Sequence, residues 1–160
     1  MTTDVKMGEI SVHSAGYVLT ATGVGSCLVI TLWESQLCIG GLAHAMLPSR
    51  NPLPLHANRI SENTRCAPHD TRYVHTAIDE ILKDLILRGA KRENLVAKII
   101  GGANMFATTW TDIGSENVRC AEVKFKDEGI PIIGECVGGS QGRSVEFSIA
   151  SGVVTVKMKF

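Results

Sequence analysis

The run Gly23-Val24-Gly25-Ser26-Cys27-Leu28-Val29-Ile30-Thr31-Leu32-Trp33 carries the clearest structural signal in this chain. Its second half is an almost uninterrupted apolar segment, which is typical of a central β-strand that is buried on both faces. A polar connection over residues 34–37 and a second apolar segment over residues 38–46 follow. We predict that the second segment returns antiparallel to the first, so that a hairpin forms the centre of the sheet.

Outside this hairpin, short β-branched runs are separated by glycine-rich turns. Such runs predict further strands. The predicted strands cover residues 5–12, 17–22, 95–100, 130–137, 143–149 and 153–158.

Two helices are predicted between the strands. The first begins at Asp70, whose carboxylate can cap it, shows apolar residues at three-to-four spacing and ends at Gly89. The second covers residues 113–128 and is followed by Gly129. Residues 48–70 contain four prolines and no periodicity, which indicates a long functional loop. We predict one α+β domain over residues 1–160, with a mixed, largely antiparallel sheet and two main helices.

The composition excludes several classes of protein. The chain has 160 residues, 44% of them apolar, and 16 Lys+Arg balance 16 Asp+Glu. This composition is not that of a disordered protein, and without excess positive charge nucleic acid is not an expected partner. The first ten residues lack the apolar core of a signal peptide, and no apolar run approaches the ~20 residues that span a bilayer. We expect a cytoplasmic protein that does not insert into the membrane.

Five cysteines are an odd number, and in a reducing compartment they are expected to be apolar filler or reactive thiols. Cys38 in a predicted strand, Cys120 on the second predicted helix and Cys136 near a strand end fit the role of buried filler. Cys66 and His69 have half the spacing of a zinc site, but no second short-spaced pair completes it, so no metal is predicted. Cys27 remains as the candidate nucleophile.

Hairpin geometry connects Cys27 with His44. If the hairpin loop is centred between Ser35 and Gln36, Cys27 lies directly opposite His44, with Cβ atoms ~5 Å apart. A protonated imidazole at that distance lowers the pKa of the thiol and favours a nucleophilic thiolate. A loop of odd length sends His44 to the other face. The alternative interpretation is that Cys27 simply opens a buried strand and His44 is a hydrogen-bonded core residue.

Glycines surround the candidate nucleophile. Gly23 and Gly25 permit positive φ and close approach of a substrate, so that backbone N–H groups near Ser26 and Cys27 can form an oxyanion hole. Residues 101–104, Gly-Gly-Ala-Asn, follow a strand but match no phosphate-binding motif, which favours close backbone packing or the wall of a pocket. The predicted oxyanion and substrate-binding residues are Gly25, Ser26, Gly102 and Asn104. This arrangement fits acyl transfer from a carboxamide or an ester.

Six motifs occur in order along nearly the whole chain. They are Thr22-Gly23-Val24-Gly25-Ser26-Cys27, Gly40-Gly41-Leu42-Ala43-His44-Ala45-Met46-Leu47-Pro48, Arg72-Tyr73-Val74, Lys98-Ile99-Ile100-Gly101-Gly102-Ala103-Asn104-Met105, Ile113-Gly114-Ser115-Glu116-Asn117-Val118, and Gly138-Gly139 ahead of Arg143. Their combination resembles the chemoreceptor glutamine deamidase family, CheD. The resemblance implies a fold similar to the deamidase domain of cytotoxic necrotizing factor toxins.

The same resemblance implies an activity, namely hydrolysis of selected glutamine side chains in methyl-accepting chemotaxis receptors to glutamate. In that interpretation Cys27 attacks the carboxamide, and His44 is the general base and then the general acid. No cofactor is implied. A CheC-type phosphatase of the response regulator CheY is implied as a second partner, and recruitment to receptor arrays at the inner face of the membrane is expected.

One position departs from the family pattern. The family often has a Thr six residues before the nucleophile, which orients the histidine, and this chain has Ala21 there. Thr20 and Thr22 flank it, but strand alternation aims both at the opposite face unless a bulge near Gly23 reverses the parity. A backbone carbonyl is another group that can orient His44.

Three functions therefore stay open at this stage. The first is receptor glutamine deamidation. The second is a binding module that regulates a CheC-type phosphatase with little or no turnover, which the absence of Thr at position 21 favours. The third is a cysteine hydrolase of other acyl substrates.

Overall fold

A computed structural model describes residues 1–49, 69–105 and 112–159. Within these ranges the chain forms nine strands, two α-helices and a short 3-10 turn at Arg92–Asn94. The helices are α1 (Val74–Leu87) and α2 (Ile113–Glu128). The strands are β1 (Thr2–Asp4), β2 (Ile10–Ser14), β3 (Val18–Val24), β4 (Leu28–Glu34), β5 (Ile39–Ala45), β6 (Leu95–Gly101), β7 (Ile132–Val137), β8 (Arg143–Ser148) and β9 (Val154–Met158).

The strands form two sheets. One has five strands in the order β2-β5-β4-β6-β7, and the other has four in the order β1-β3-β8-β9. Only the pairs β1/β3 and β6/β7 are parallel among the ladders of the described ranges. The predicted α+β class with a mixed, largely antiparallel sheet is confirmed, and the division of the strands between two sheets is an addition to it.

Strand β4 lies at the centre of the molecule and is covered on both sides. Its even-numbered residues, such as Leu28 and Ile30, belong to the apolar cluster between the five-stranded sheet and the two helices. Val29, on the opposite face, belongs to the cluster between the two sheets. Both faces of β4 are buried in apolar clusters, which explains why the sequence of the strand is almost continuously apolar, as predicted.

The hairpin loop differs from the predicted one. Glu34 pairs with Ile39, so the loop consists of the four residues 35–38. The centre of the loop lies one residue closer to the C-terminus than predicted. The carboxylate of Glu34 accepts a hydrogen bond from the Leu37 N–H at 2.6 Å, which closes the turn. The prediction that Cys38 is a strand residue is therefore wrong. Cys38 lies in the turn, with φ 50°.

The N-terminal strands and the helix ends correct further predictions. The strand predicted over residues 5–12 is confirmed only for residues 10–12, which belong to β2. Residues 5–9 are not in a strand, because the chain turns at Gly8, which has φ 84°, and β1 precedes the predicted range. Asp70 does not cap α1, which starts at Val74, because the Asp70 carboxylate binds the guanidinium of Arg72 at 2.6 Å. The predicted bounds of α2 are confirmed, with Asp112 as its N-cap.

Most of the predicted loop over residues 48–70 lies outside the described residues, and so does Cys66. None of the helices in the described ranges is both long and apolar enough to cross a membrane.

Candidate active site

Cys27 lies in a bend immediately before β4 and is 8% exposed. The turn that follows β6 holds this bend in place: the Gly102 N–H donates to the Cys27 carbonyl at 2.8 Å, and the Ala103 N–H donates to the Gly25 carbonyl at 2.9 Å. A Cβ at Gly101 would collide with the Cys27 carbonyl oxygen. Close backbone packing by the Gly-Gly turn is thus confirmed, and its partner is the bend that ends at Cys27.

His44 is on β5, where it pairs with Val29 of β4. The predicted opposition of Cys27 and His44 is wrong, because the longer β4 displaces the register by two residues. An even displacement keeps His44 on the same face of the hairpin. If the pairing of β4 with β5 is continued by one residue beyond Leu28, Cys27 lies diagonal to His44, and their Cα atoms are about 7–8 Å apart. No hydrogen bond joins the thiol and the imidazole among the bonds of the described residues.

The ring of His44 is fixed by the N-terminal segment. Its Nδ1 lies 3.2 Å from the carbonyl oxygen of Val5, the residue after β1. A carbonyl oxygen only accepts, so in the neutral ring Nδ1 carries the proton and Nε2 has the free lone pair. Nε2 is buried and has no hydrogen-bond partner among the described residues. This is the tautomer that a general base requires.

Burial determines the protonation of both side chains. It raises the pKa of the Cys27 thiol, although the Cys27 backbone N–H acts in the opposite direction. It also lowers the pKa of His44, against smaller opposite effects of the Val5 carbonyl and of Asp4. The expected lowering of the thiol pKa by a protonated His44 is therefore not found. Both shifts favour the neutral thiol and the neutral imidazole at neutral pH.

Neither threonine next to Ala21 reaches His44. Ala21 is fully buried in the cluster between the sheets, whereas the Thr20 hydroxyl donates to the Asp4 carboxylate at 3.3 Å and Thr22 is exposed. A bulge does occur between Ala21 and Val24, but Thr20 precedes it and Thr22, which lies within it, is exposed. The bulge returns Val24 to the buried face. The group that orients the imidazole is the backbone carbonyl of Val5.

The predicted oxyanion and substrate-binding residues lie in two adjacent turns. Gly25 and Ser26 form the bend before Cys27, and Gly102 is bonded directly to that bend. Asn104 is connected elsewhere: its backbone N–H donates to the Gly139 carbonyl at 2.9 Å.

Two buried polar side chains at the site have no role in the prediction from sequence. Asn117 of α2 donates to the carbonyl oxygens of Ser26 at 2.9 Å and Met46 at 3.1 Å. Arg143 of β8 donates to the carbonyl oxygens of Gly101 and Gly138. Their only sequence signal was membership of the family-like motifs, because three of their four carbonyl partners are more than 40 residues away in the sequence and leave no pattern.

Within residues 1–49, 69–105 and 112–159, no group of three or more His, Cys, Asp and Glu side chains is arranged to hold a metal ion. His69, half of the zinc-like spacing, binds Glu80 through Nδ1 at 2.7 Å.

Comparison with known proteins gives a consistent result. A family model described as CheD chemotactic sensory transduction matches residues 46–158. A probable chemoreceptor glutamine deamidase CheD 2 of Geobacter metallireducens is 36% identical over 157 residues, which are 96% of this chain and 91% of that protein. A probable chemoreceptor glutamine deamidase CheD of Methanococcus vannielii is 37% identical, over 98% of this chain and 95% of that protein. The chemoreceptor glutamine deamidase CheD of Thermotoga maritima is 32% identical, over 96% of this chain and 89% of that protein.

Proposed function

The chain belongs to the CheD family, and on that premise we propose that it hydrolyses specific glutamine side chains of methyl-accepting chemotaxis receptors to glutamate. Relatives named as chemoreceptor glutamine deamidases match it over nearly their whole length, which supports the same reaction here. The observation that carries the mechanism is the buried Nε2 of His44, which has no hydrogen-bond partner in the described part of the chain and lies on the hairpin that Cys27 opens.

The first half of the reaction forms a thioester. Cys27 Sγ attacks the carboxamide carbon of the glutamine while His44 Nε2 takes the thiol proton. Because both groups are neutral beforehand, proton transfer accompanies the attack rather than preceding it. Backbone N–H groups of the bend, that of Cys27 among them, stabilise the negative charge that develops on the carboxamide oxygen.

The second half releases both products. The tetrahedral intermediate collapses with cleavage of the C–N bond, and the His44 imidazolium gives its proton to the leaving nitrogen, so that ammonia departs. Water then attacks the thioester with His44 again as the base. The C–S bond breaks, the receptor is released with a glutamate side chain at that position, and the thiol recovers its proton. In the cell, the reaction takes place at receptor arrays at the inner face of the membrane.

Mass spectrometry of a receptor fragment tests this proposal. The cytoplasmic part of a methyl-accepting receptor is incubated with the wild-type protein, with Cys27→Ala and with the matched control Cys136→Ala. We expect the wild type and Cys136→Ala to convert the same glutamines, each gaining ~1 Da, and Cys27→Ala to convert none. Equal conversion by Cys27→Ala contradicts the role of Cys27.

A second candidate function is supported by one observation. Position 21 is Ala, so no side-chain hydroxyl orients His44, which favours a binding module that regulates a CheC-type phosphatase with little turnover. Phosphatase assays on phosphorylated CheY distinguish the two functions. Stimulation by both the wild type and Cys27→Ala, together with unmodified receptor glutamines, supports the binding module and contradicts the deamidase.

A further inference from the structure

Asn117 connects the two segments that carry the site. Its side chain projects from α2 and is 0% exposed. One Nδ2 group donates to the carbonyl oxygen of Ser26, the residue before the nucleophile, and also to that of Met46, two residues beyond His44. A single amide therefore fixes the start of β4 against the end of β5.

The orientation of this amide follows from its partners. Both are carbonyl oxygens, which only accept, so the nitrogen end of Asn117 must face them. The Oδ1 atom at the other end is buried and has no partner among the described residues. An unpaired buried acceptor destabilises the folded state, so an apolar side chain of similar size at position 117 would avoid this loss of stability. What Asn117 contributes instead is its two hydrogen bonds to the carbonyl oxygens of Ser26 and Met46.

The bond to Ser26 also determines the direction of the next N–H group. The peptide between Ser26 and Cys27 is trans, and in a trans peptide the carbonyl and the N–H point in opposite directions. With the Ser26 oxygen held towards α2, the Cys27 N–H points away from the helix. It is this N–H that favours the thiolate form of Cys27, so it lies on the side of the sulfur.

We propose that Asn117 is a positioning residue, which aims the Cys27 N–H at the oxyanion and sets the spacing between Cys27 and His44. This inference rests on the proposed deamidation for its kinetic consequence. An N–H that meets charge only in the transition state contributes to kcat, while substrate binding and KM depend on it little.

The test compares Asn117→Ala with Phe125→Leu. Phe125 is a fully buried residue of the same helix and belongs to the core cluster, so Phe125→Leu weakens the packing of α2 while both carbonyl bonds of Asn117 remain. We expect Asn117→Ala to lower kcat by roughly 100-fold with little change in KM, since removal of one oxyanion donor has an effect of this order. Phe125→Leu is expected to keep kcat close to wild type even where it lowers the Tm as much.

The pH dependence of Cys27 alkylation by iodoacetamide gives a readout that needs no glutamine substrate. We expect the inflection to lie above the ordinary thiol pKa in the wild type, to move further up in Asn117→Ala and to stay unchanged in Phe125→Leu.

Two results overturn the inference: kcat that falls in proportion to Tm in both helix variants, or an alkylation profile that Asn117→Ala leaves unmoved. Failure of the proposed function is a separate result. A wild-type protein that converts no receptor glutamine contradicts deamidation, whereas the alkylation profiles still decide the role of Asn117.

Discussion

At the scale of single residues, His44 has the properties of a base before any substrate arrives. The Val5 carbonyl fixes the proton on Nδ1, and burial lowers the pKa of the ring, so that Nε2 is free to accept at neutral pH. Cys27 is buried as a neutral thiol. In the proposed mechanism the pair therefore reacts by concerted proton transfer, which depends on the geometry of the bend more than on a preformed thiolate.

We predict that deamidation by this chain does not require a hydroxyl at position 21. Since Val5 already satisfies Nδ1, Ala21→Thr is expected to leave kcat close to the wild-type value. Any change should appear in stability, because position 21 is fully buried between the sheets and an extra hydroxyl must fit there. Steady-state deamidation kinetics together with a thermal melt measure both effects. A tenfold or larger rise in kcat would show that the Val5 carbonyl is an insufficient partner.

At the scale of elements, the site depends on the contact between α2 and the Gly-Gly turn after β6. A Cβ at Gly114 would lie 2.5 Å from the carbonyl oxygens of Gly102 and Ala103. Gly114 thereby lets the start of α2 approach the turn that is bonded to Cys27. The same approach brings Asn117 within reach of Ser26.

We therefore predict that Gly114→Ala separates α2 from the turn. The clash is with backbone atoms, so a loss of about 1–3 kcal/mol in the free energy of unfolding is expected, together with a lower kcat. Gly142→Ala is the matched control, because a Cβ there meets nothing within 4 Å. Urea titration and deamidation kinetics on both variants test this. A Gly114→Ala protein as stable and active as Gly142→Ala would refute the role of this contact.

The elements also show which predictions a sequence supports. Helix α2 was predicted with Gly129 as the signal for its end, and its bounds are confirmed. The hairpin strands follow from their apolar runs, but the register does not, because it depends on one bond between the Glu34 carboxylate and the Leu37 N–H. The predicted opposition of Cys27 and His44 is wrong, but the predicted face of His44 is retained because an even displacement preserves the face.

At the scale of the whole molecule, two packed sheets and a helical layer bury the site. The four-stranded sheet pairs β3 with β1 and β8, and β8 is distant from β3 in the sequence. No local pattern specifies such a pairing, so the two-sheet arrangement was not predictable from the strand signals alone. The arrangement has a thermodynamic consequence, because it buries an ionisable ring between layers.

The buried His44 predicts a pH-dependent stability. Its pKa is lowered in the folded state, so the unfolded chain binds more protons, and the free energy of unfolding falls as the pH drops below the ordinary histidine pKa. The loss continues until the pH passes the lowered value in the folded state. Chemical denaturation at several pH values, compared with His44→Gln, measures this contribution. A His44→Gln protein with the same acid-induced loss as the wild type would assign the effect to other groups.

The most direct test of the central claim is to isolate the covalent intermediate on Cys27. The protein is mixed with a receptor fragment, quenched in acid while turnover continues, digested with trypsin and analysed by fragmentation mass spectrometry. Cys27 and Cys38 lie on one tryptic peptide, residues 7–50, so fragmentation must locate the adduct. We expect an acyl adduct on Cys27 with the mass of the glutamine-containing peptide minus ammonia. An adduct on Cys38, or continued deamidation by Cys27→Ala, would contradict it.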